Sequence, residues 1–267
     1  EYTQEGKIDE AILTAAATRI VKVKFEMGMF ENPYCDVDYA VSFVGNEENQ
    51  KVNLQAAREA MTLLKNDGAL PLDPDAKQTI LVCGPRAFDM DSLVGGWSSA
   101  QEGMTIADAV AAYAGENTTV LTEKEDVEVI KELAQQADVI IVSIGEPSYQ
   151  HDPVWGYDTL EIVQSQQEIL EAAVASGKTV ITVVTGGRPY ILTWCDENTS
   201  AILEAYYPGA QGGIAIGETL FGLNNPTGKT PMQFPRDMES VNDQSGDVSF
   251  DLENPLYDYG WGLSYDK

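Results

Sequence analysis

The sequence predicts an α/β fold: a doubly wound, mostly parallel sheet of about five to six strands with helices on both faces. Two observations predict this class. Short apolar runs rich in β-branched residues, such as "TILVCG" and "TVITVVTGG", indicate strands, and amphipathic runs of helical spacing lie between them. Strands that are apolar along their whole length are typical of parallel sheets covered by helices.

The chain is predicted to begin with two helices. Apolar residues from Ile8 to Met27 recur at helical spacing, and this helix should end near Gly28. A polar connector follows. A second helix is expected over residues 47–67, closed by Gly68.

Strands and helices are predicted to alternate from residue 79 onward. Strands are expected at residues 79–84, 118–122, 138–145, 179–187 and 200–207, and helices at residues 105–115, 125–137, 159–176 and 212–222. From Asn224 the chain is rich in Pro, Gly and aromatic residues, which predicts ordered loop. Ligands of such sheets bind beyond the carboxyl ends of the strands, so a site is expected in the loops after Gly84, Ile144 and Thr185.

The composition is strongly acidic. The chain has 43 Asp and Glu residues against 16 Lys and Arg, a formal net charge of −27. Such a surface repels phosphate backbones and anionic lipid, so neither nucleic acid nor a membrane is expected as a partner. It is compatible with a neutral ligand such as a sugar. Localisation stays open, since a cytoplasmic bacterial protein and a secreted one both fit the sequence.

The few Cys and His residues argue against a metal centre. Cys35, Cys83 and Cys195 show no C-x-x-C spacing, and His151 has no second His to join it. Neither of the glycine-rich phosphate-binding motifs is present. No metal and no cofactor are therefore expected, and a generic nucleotide-binding domain is disfavoured.

The loop after the third predicted strand combines acidic and aromatic residues: Glu146, Tyr149, His151, Asp152 and Trp155. Glycosidic bonds are cleaved by a carboxyl pair, one of which donates a proton. A donor works best when its pKa is raised, which an apolar neighbour such as Trp155 or Tyr149 would achieve. The alternative interpretation is a loop of solvated carboxylates with one aromatic residue packed on the surface.

Two further strand ends carry candidate residues. Trp97 follows Gly95 and Gly96 and could present its ring to a ligand, or pack against the protein. Arg188 follows the strand "TVITVVT" and is expected to tie neighbouring loops together or to pair with a carboxylate.

Six sequence blocks cover nearly the whole chain in a recognisable order. They are "RIVKVKFEMGMFENPY", "AAREAMTLLKNDGALPL", "IVSIGE", "VVTGGRPY", "AILEAYYPGAQGGIAIGETLFGLNNPTGKTPMQFP" and "LYDYGWGLSY". Together they resemble glycoside hydrolase family 3, whose members are mostly exo-acting β-glucosidases, β-xylosidases and glucan glucohydrolases. The chain is similar to the second, α/β-sandwich domain of these enzymes, preceded by the last helix of their first domain.

The resemblance implies two parts. Residues 1–50 would be the exit helix and linker of a missing N-terminal barrel domain, and residues 51–267 the C-terminal α/β-sandwich domain, with no TIM barrel in this chain. Family members carry the nucleophilic Asp on that barrel. The chain would thus be the C-terminal domain of a retaining exo-acting β-glycosidase of the β-glucosidase type. It would contribute the acid/base loop and the aglycone subsite, and would be inactive alone because retention needs two carboxyl groups.

The resemblance also implies partners: a β-linked oligosaccharide or glycoside as substrate, and the barrel domain in cis or in trans. The alternative is a non-catalytic carbohydrate-binding or interaction domain. The apolar stripe of the first helix would normally pack on the barrel. Without it, self-association or loose ordering of residues 1–50 is expected.

The acid/base residue is expected in the loop opened by Gly145 and Glu146. The plant-type branch of the family has the pattern G-E-x-x-Y-x-E, and here "GEPSYQH" retains all but the last Glu, which is His151. We therefore rank Asp152 first as proton donor, His151 second and Glu146 third, because Glu146 abuts the strand and would more naturally hold the loop through hydrogen bonds. Trp97 matches an aromatic residue beside the aglycone subsite, and Tyr149 and Trp155 are the other candidate substrate contacts.

Overall fold

The computed structural model describes residues 2–96, 98, 102–146, 158–243 and 250–265. The chain divides into two compact units, Glu1–Asn49 and Gln50–Lys267. Within the described residues, the helices are α1 (Glu10–Glu26), α2 (Val37–Phe43), α3 (Glu47–Ala60), α4 (Asp91–Val94), α5 (Ile106–Tyr113), α6 (Val127–Ala134), α7 (Gln164–Ala175), α8 (Thr193–Asn198), α9 (Gly212–Leu220) and α10 (Met238–Asn242), with a 3-10 turn at Pro85–Ala87.

The first unit is helical. Asp9 accepts a hydrogen bond from the Ala11 N–H at 2.9 Å and so caps α1, which confirms the predicted first helix. The segment expected to be a polar connector contains α2, which begins because the Asp36 carboxylate accepts from the Tyr39 N–H at 3.0 Å. All of α1 is described, and none of its side chains is buried.

The second unit is built on a sheet. Its described strands are β1 (Thr62–Asn66), β2 (Thr79–Cys83), β3 (Thr119–Glu123), β4 (Val139–Gly145), β5 (Thr179–Thr185) and β6 (Ala201–Tyr206). The strand order is β1-β6-β5-β4-β2-β3, and every pairing is parallel except β1 with β6. The predicted fold class, a mostly parallel sheet of five to six strands, is confirmed.

Strand β1 corrects the predicted second helix, which was expected to continue to residue 67. Helix α3 ends at Ala60, and the chain then pairs antiparallel with β6, Thr62 opposite Glu204. Leu63 and Leu64 are both buried, in different apolar layers. In sequence, a short apolar run is compatible with either a helix or a strand. Here the run forms a strand because it pairs with the open edge of β6.

Two apolar layers enclose the sheet. On one face Val82, Ile141 and Val183 pack with α5 and α9, and on the other Val142 and Val184 pack with α6, α7 and α8. Each fully buried Val or Leu contributes about 1.5–3 kcal/mol of hydrophobic stabilisation. These layers fix β4, β5 and β6 side by side, so that the loops after their carboxyl ends meet at one edge.

The remaining helices agree in part with the prediction. Helices α5, α6, α7 and α9 were expected, although α7 begins at Gln164 and not near residue 159. Helices α4, α8 and α10 were not predicted, because each has six residues or fewer and too few turns to show a helical period.

Candidate functional site

The carboxyl ends of β4, β5 and β6 lie in register at one edge of the sheet. Gly145 is opposite Thr185, and Thr185 is opposite Tyr206. Gly145 has a φ of 124°, and a Cβ there would collide with the Thr185 carbonyl oxygen, so this position requires glycine. The buried Gln166 amide of α7 accepts from the Gly145 N–H and donates to its carbonyl, both at 2.8 Å. The exit of β4 is therefore fixed from two sides.

Glu146 lies buried at this edge, 1% exposed, and its carboxyl group accepts four hydrogen bonds from described residues. Oε1 accepts from the Gly187 N–H at 2.7 Å and the Tyr207 hydroxyl at 2.9 Å. Oε2 accepts from Arg188 Nε at 3.2 Å and the Tyr190 hydroxyl at 3.1 Å. This donor set, which includes a guanidinium, joins Glu146 to the chain after β5 and to the chain after β6.

Arg188 links the two flanks of the acidic loop. Besides Glu146, it donates from Nη1 to the Thr159 carbonyl at 3.0 Å and from Nη2 to the Tyr190 hydroxyl at 3.3 Å. As expected from the sequence, it pairs with a carboxylate. Glu146 directly precedes residues 147–157 and Thr159 follows them, so one side chain holds both flanks of that segment.

Tyr190 completes this cluster. Burial, with a further contribution from the Glu146 charge, raises the pKa of Tyr190 above its usual range. The hydroxyl therefore stays neutral and donates to Glu146. The Ile191 N–H donates to the Leu160 carbonyl at 2.9 Å, which fixes the chain just beyond Thr159.

The other predicted site residues lie outside the described residues. These are Trp97, Tyr149, His151, Asp152 and Trp155. The structure thus places the frame of the predicted loop at the expected sheet edge, and of the six candidate residues it positions Glu146. Its contacts are those of an anchor for the loop.

Strand β6 contributes a second buried carboxyl group that the sequence analysis missed. Glu204 is 1% exposed, and its Oε1 accepts from the Tyr206 N–H at 2.9 Å. Tyr206 has a φ of 54°, a left-handed conformation that costs about 1–2 kcal/mol for a residue other than glycine. The signal in the sequence was an acidic residue inside the otherwise apolar strand "AILEAY".

The described residues provide no metal centre. No group of three or more His, Cys, Asp or Glu side chains among them is arranged to hold a metal ion. None of the helices in this part of the chain is both long enough and apolar enough to cross a membrane.

Comparison with known proteins gives one consistent result. Residues 61–265 match the Glycosyl hydrolase family 3 C-terminal domain. The chain is 29% identical to the periplasmic beta-glucosidase of Salmonella typhimurium, over 98% of this chain and 41% of that protein. It is 28% identical to a beta-xylosidase of Formosa agariphila, over 94% of this chain and 38% of that protein.

Solved structures agree. The beta-glucosidase of Listeria innocua in complex with isofagomine superposes with a TM-score of 0.80 at 26% identity, covering 99% of this chain and 41% of that one. A β-glucosidase from Erythrobacter marinus gives a TM-score of 0.77 at 29% identity, with 99% and 41% covered. This chain therefore spans about two-fifths of the length of these relatives. It belongs to glycosyl hydrolase family 3, and residues 61–265 form the family's C-terminal domain.

Proposed function

We propose that this chain is the C-terminal part of a retaining, exo-acting β-glycosidase of the β-glucosidase type. Residues 51–267 supply the acid/base loop and the aglycone subsite, and residues 1–50 are the exit helix and linker of an N-terminal barrel domain. That barrel supplies the nucleophile, in cis or in trans. The relatives named β-glucosidase and β-xylosidase support this, since the chain matches only about two-fifths of each.

One observation carries the proposal: the Arg188 clamp. Arg188 binds Glu146 and the Thr159 carbonyl, and so holds the flanks of residues 147–157 together. It does so at the carboxyl ends of β4 and β5, where ligands of open α/β sheets bind. This supports the proposal because both flanks of the acidic and aromatic segment lie at the edge of the sheet where such ligands bind.

The proposed reaction divides its two carboxyl groups between domains. The barrel nucleophile attacks the anomeric carbon while the loop acid protonates the departing glycosidic oxygen, giving a covalent glycosyl-enzyme and the free aglycone. The same loop residue then takes a proton from water, which attacks and releases the sugar.

Asp152 is our first candidate for the proton donor, followed by His151 and then Glu146. Glu146 stands last because four hydrogen bonds from described residues and an exposure of 1% leave its carboxyl group little access to a substrate oxygen. We assign Trp97, Tyr149 and Trp155 to the aglycone subsite.

A second candidate function is non-catalytic carbohydrate binding. The observation that favours it is His151, which replaces the Glu of the plant-type pattern. This alternative requires sugar affinity without any turnover, even when a barrel domain is joined to the chain.

The test is hydrolysis of an aryl β-glucoside and an aryl β-xyloside. We expect no turnover by the isolated chain and clear turnover when it is joined to an N-terminal barrel domain of the family. Turnover by the isolated chain would contradict the missing nucleophile. No turnover by the joined protein, with sugar binding retained, would favour the binding function.

A further inference from the structure

Glu204 is a buried carboxyl group that lacks a cationic partner in the described part of the chain. Its Oε1 accepts from the Tyr206 N–H, while its Oε2 has no hydrogen-bond partner among the described residues. Glu146, at the same edge, has Arg188 and three further donors. The two carboxyl groups thus have opposite surroundings.

The groups around Glu204 disfavour its charge. On the neighbouring strands, β1 places Thr62 opposite Glu204 and β5 places Val184 there, and neither side chain is charged. Its own strand contributes the phenol of Tyr206. Among the described residues, the carboxyl group of Glu146, beyond the end of β4, acts against a negative charge on Glu204. An unpaired buried acid takes up a proton because the charged form is poorly solvated.

The backbone after Glu204 contains a β-bulge followed by a left-handed residue. Val184 pairs with Glu204 and Thr185 with Tyr206, so Ala205 is an extra residue that bulges from β6. The bulge leads into left-handed Tyr206, whose N–H is bound by Glu204. The Gly186 N–H donates to the Tyr206 carbonyl at 3.1 Å, which fixes the other side of this residue.

Tyr207 directly follows left-handed Tyr206, so the conformation of Tyr206 sets the direction in which Tyr207 leaves β6. Its hydroxyl donates to Glu146 Oε1 at 2.9 Å, and its ring lies against Gly187, where a Cβ would approach the ring to 3.0 Å. We propose that Glu204 is a positioning residue that stays protonated and, through the Tyr206 N–H, holds Tyr207 against Glu146. Its role in catalysis rests on the proposed function, whereas its protonation and its hold on Tyr207 do not.

A protonated Glu204 makes stability depend on pH in a defined direction. Burial raises the pKa of the Glu204 carboxyl well above its usual range; the Tyr206 N–H offsets part of this, and the Glu146 charge adds to it. The unfolded chain loses this proton near pH 4.3, roughly the free value. The contribution of this proton to folding stability is therefore fully present below that pH and is lost as the pH rises through the folded pKa. Between the two pKa values, the folding constant falls by about tenfold per pH unit.

The first test compares Glu204→Gln with the unchanged chain by denaturant unfolding from pH 5 to pH 8. The amide retains the acceptor for Tyr206 and cannot ionise. We expect the ratio of the two folding constants to shift in favour of Glu204→Gln as pH rises, by about tenfold per pH unit until the folded pKa is reached. The exposed Glu132→Gln is the matched control and should show no such trend. Parallel pH curves for Glu204→Gln and the unchanged chain would overturn the proposal.

The second test is a double-mutant cycle with Tyr207→Phe. In the unchanged chain and in Glu204→Gln, Tyr207→Phe should lower the folding constant by about fivefold, the net value of one hydrogen bond. In Glu204→Leu, where the turn has lost its acceptor, the effect should be below about twofold. An equal loss in Glu204→Gln and Glu204→Leu would overturn the positioning role, and if Glu204→Leu does not fold, Glu204→Met, which also lacks the acceptor, takes its place in the cycle. Neither test needs activity, so both remain decisive if the proposed function is wrong.

Discussion

Glu146 and Glu204 both lie buried at one edge of the sheet, but the described residues give them different partners. Arg188 and three other donors bind Glu146, whereas Glu204 accepts one backbone N–H. We infer that Glu146 anchors the flanks of residues 147–157, next to a Glu204 that stays protonated.

Replacement of Arg188 tests the anchor. Arg188→Met would leave Glu146 buried without a cation, and we expect the free energy of unfolding to fall by about 3–5 kcal/mol. Arg188→Lys retains the charge but cannot bind Glu146, Tyr190 and the Thr159 carbonyl together, so a smaller loss of about 1–3 kcal/mol is expected. Urea unfolding measures both.

The control for this experiment is Lys131→Met. Lys131 pairs with Glu128 on the exposed surface of α6, at 2.7 Å, and the loss should stay within about 1 kcal/mol. If Arg188→Met were no more destabilising than Lys131→Met, Arg188 would not hold the loop as described.

The residues of this edge differ in how well the sequence predicted them. Glu146 and Arg188 were identified because each directly follows an apolar strand, and Arg188 was expected to meet a carboxylate. Gln166 and Tyr207 were missed, because their contacts join residues 21 and 61 positions apart and leave no local pattern. Glu204 was not identified because it is a single acidic residue within an otherwise apolar strand.

At the scale of secondary-structure elements, some elements follow from the local sequence pattern and others form only through tertiary pairing. The parallel strands and the longer helices follow from continuous apolar runs and helical periods. Strand β1 does not, because "TLLKN" becomes a strand only through its partner β6. Helix α2 has only seven residues and is capped by Asp36, so it shows too few turns for an amphipathic period to predict it.

Helix α1 carries an element-scale prediction about association. Ile12, Ile20 and Val23 are 62%, 63% and 51% exposed, which is unusual for apolar residues on one helix face. We expect the isolated chain to self-associate through this face. Light scattering after size-exclusion chromatography should give the mass of a dimer or a larger oligomer. The double variant Ile12→Lys, Ile20→Lys should give the mass of a monomer.

The matched control is Glu132→Lys on the exposed surface of α6, which changes the net charge by the same two units away from α1. It should leave the association unchanged. A monodisperse monomer for the unchanged chain would contradict the prediction.

At the scale of the whole molecule, the family assignment and the partial length belong together. The chain matches the C-terminal domain of the family over residues 61–265 and spans about two-fifths of its relatives. The sequence blocks were sufficient to predict both the family and the sheet. They could not define the glycone pocket, because by the resemblance that pocket lies mainly on the barrel domain.

The most direct test of the central claim, that this chain carries the acid/base residue, uses Asp152→Asn in the protein joined to a barrel domain. A general acid matters only where the leaving group needs a proton, so two aryl β-glucosides of different leaving ability separate its role from binding. We predict a loss of about 10²–10⁴-fold in kcat/KM for the phenyl glucoside and less than about tenfold for the dinitrophenyl glucoside. An equal loss with both substrates, or no loss with either, would contradict the account.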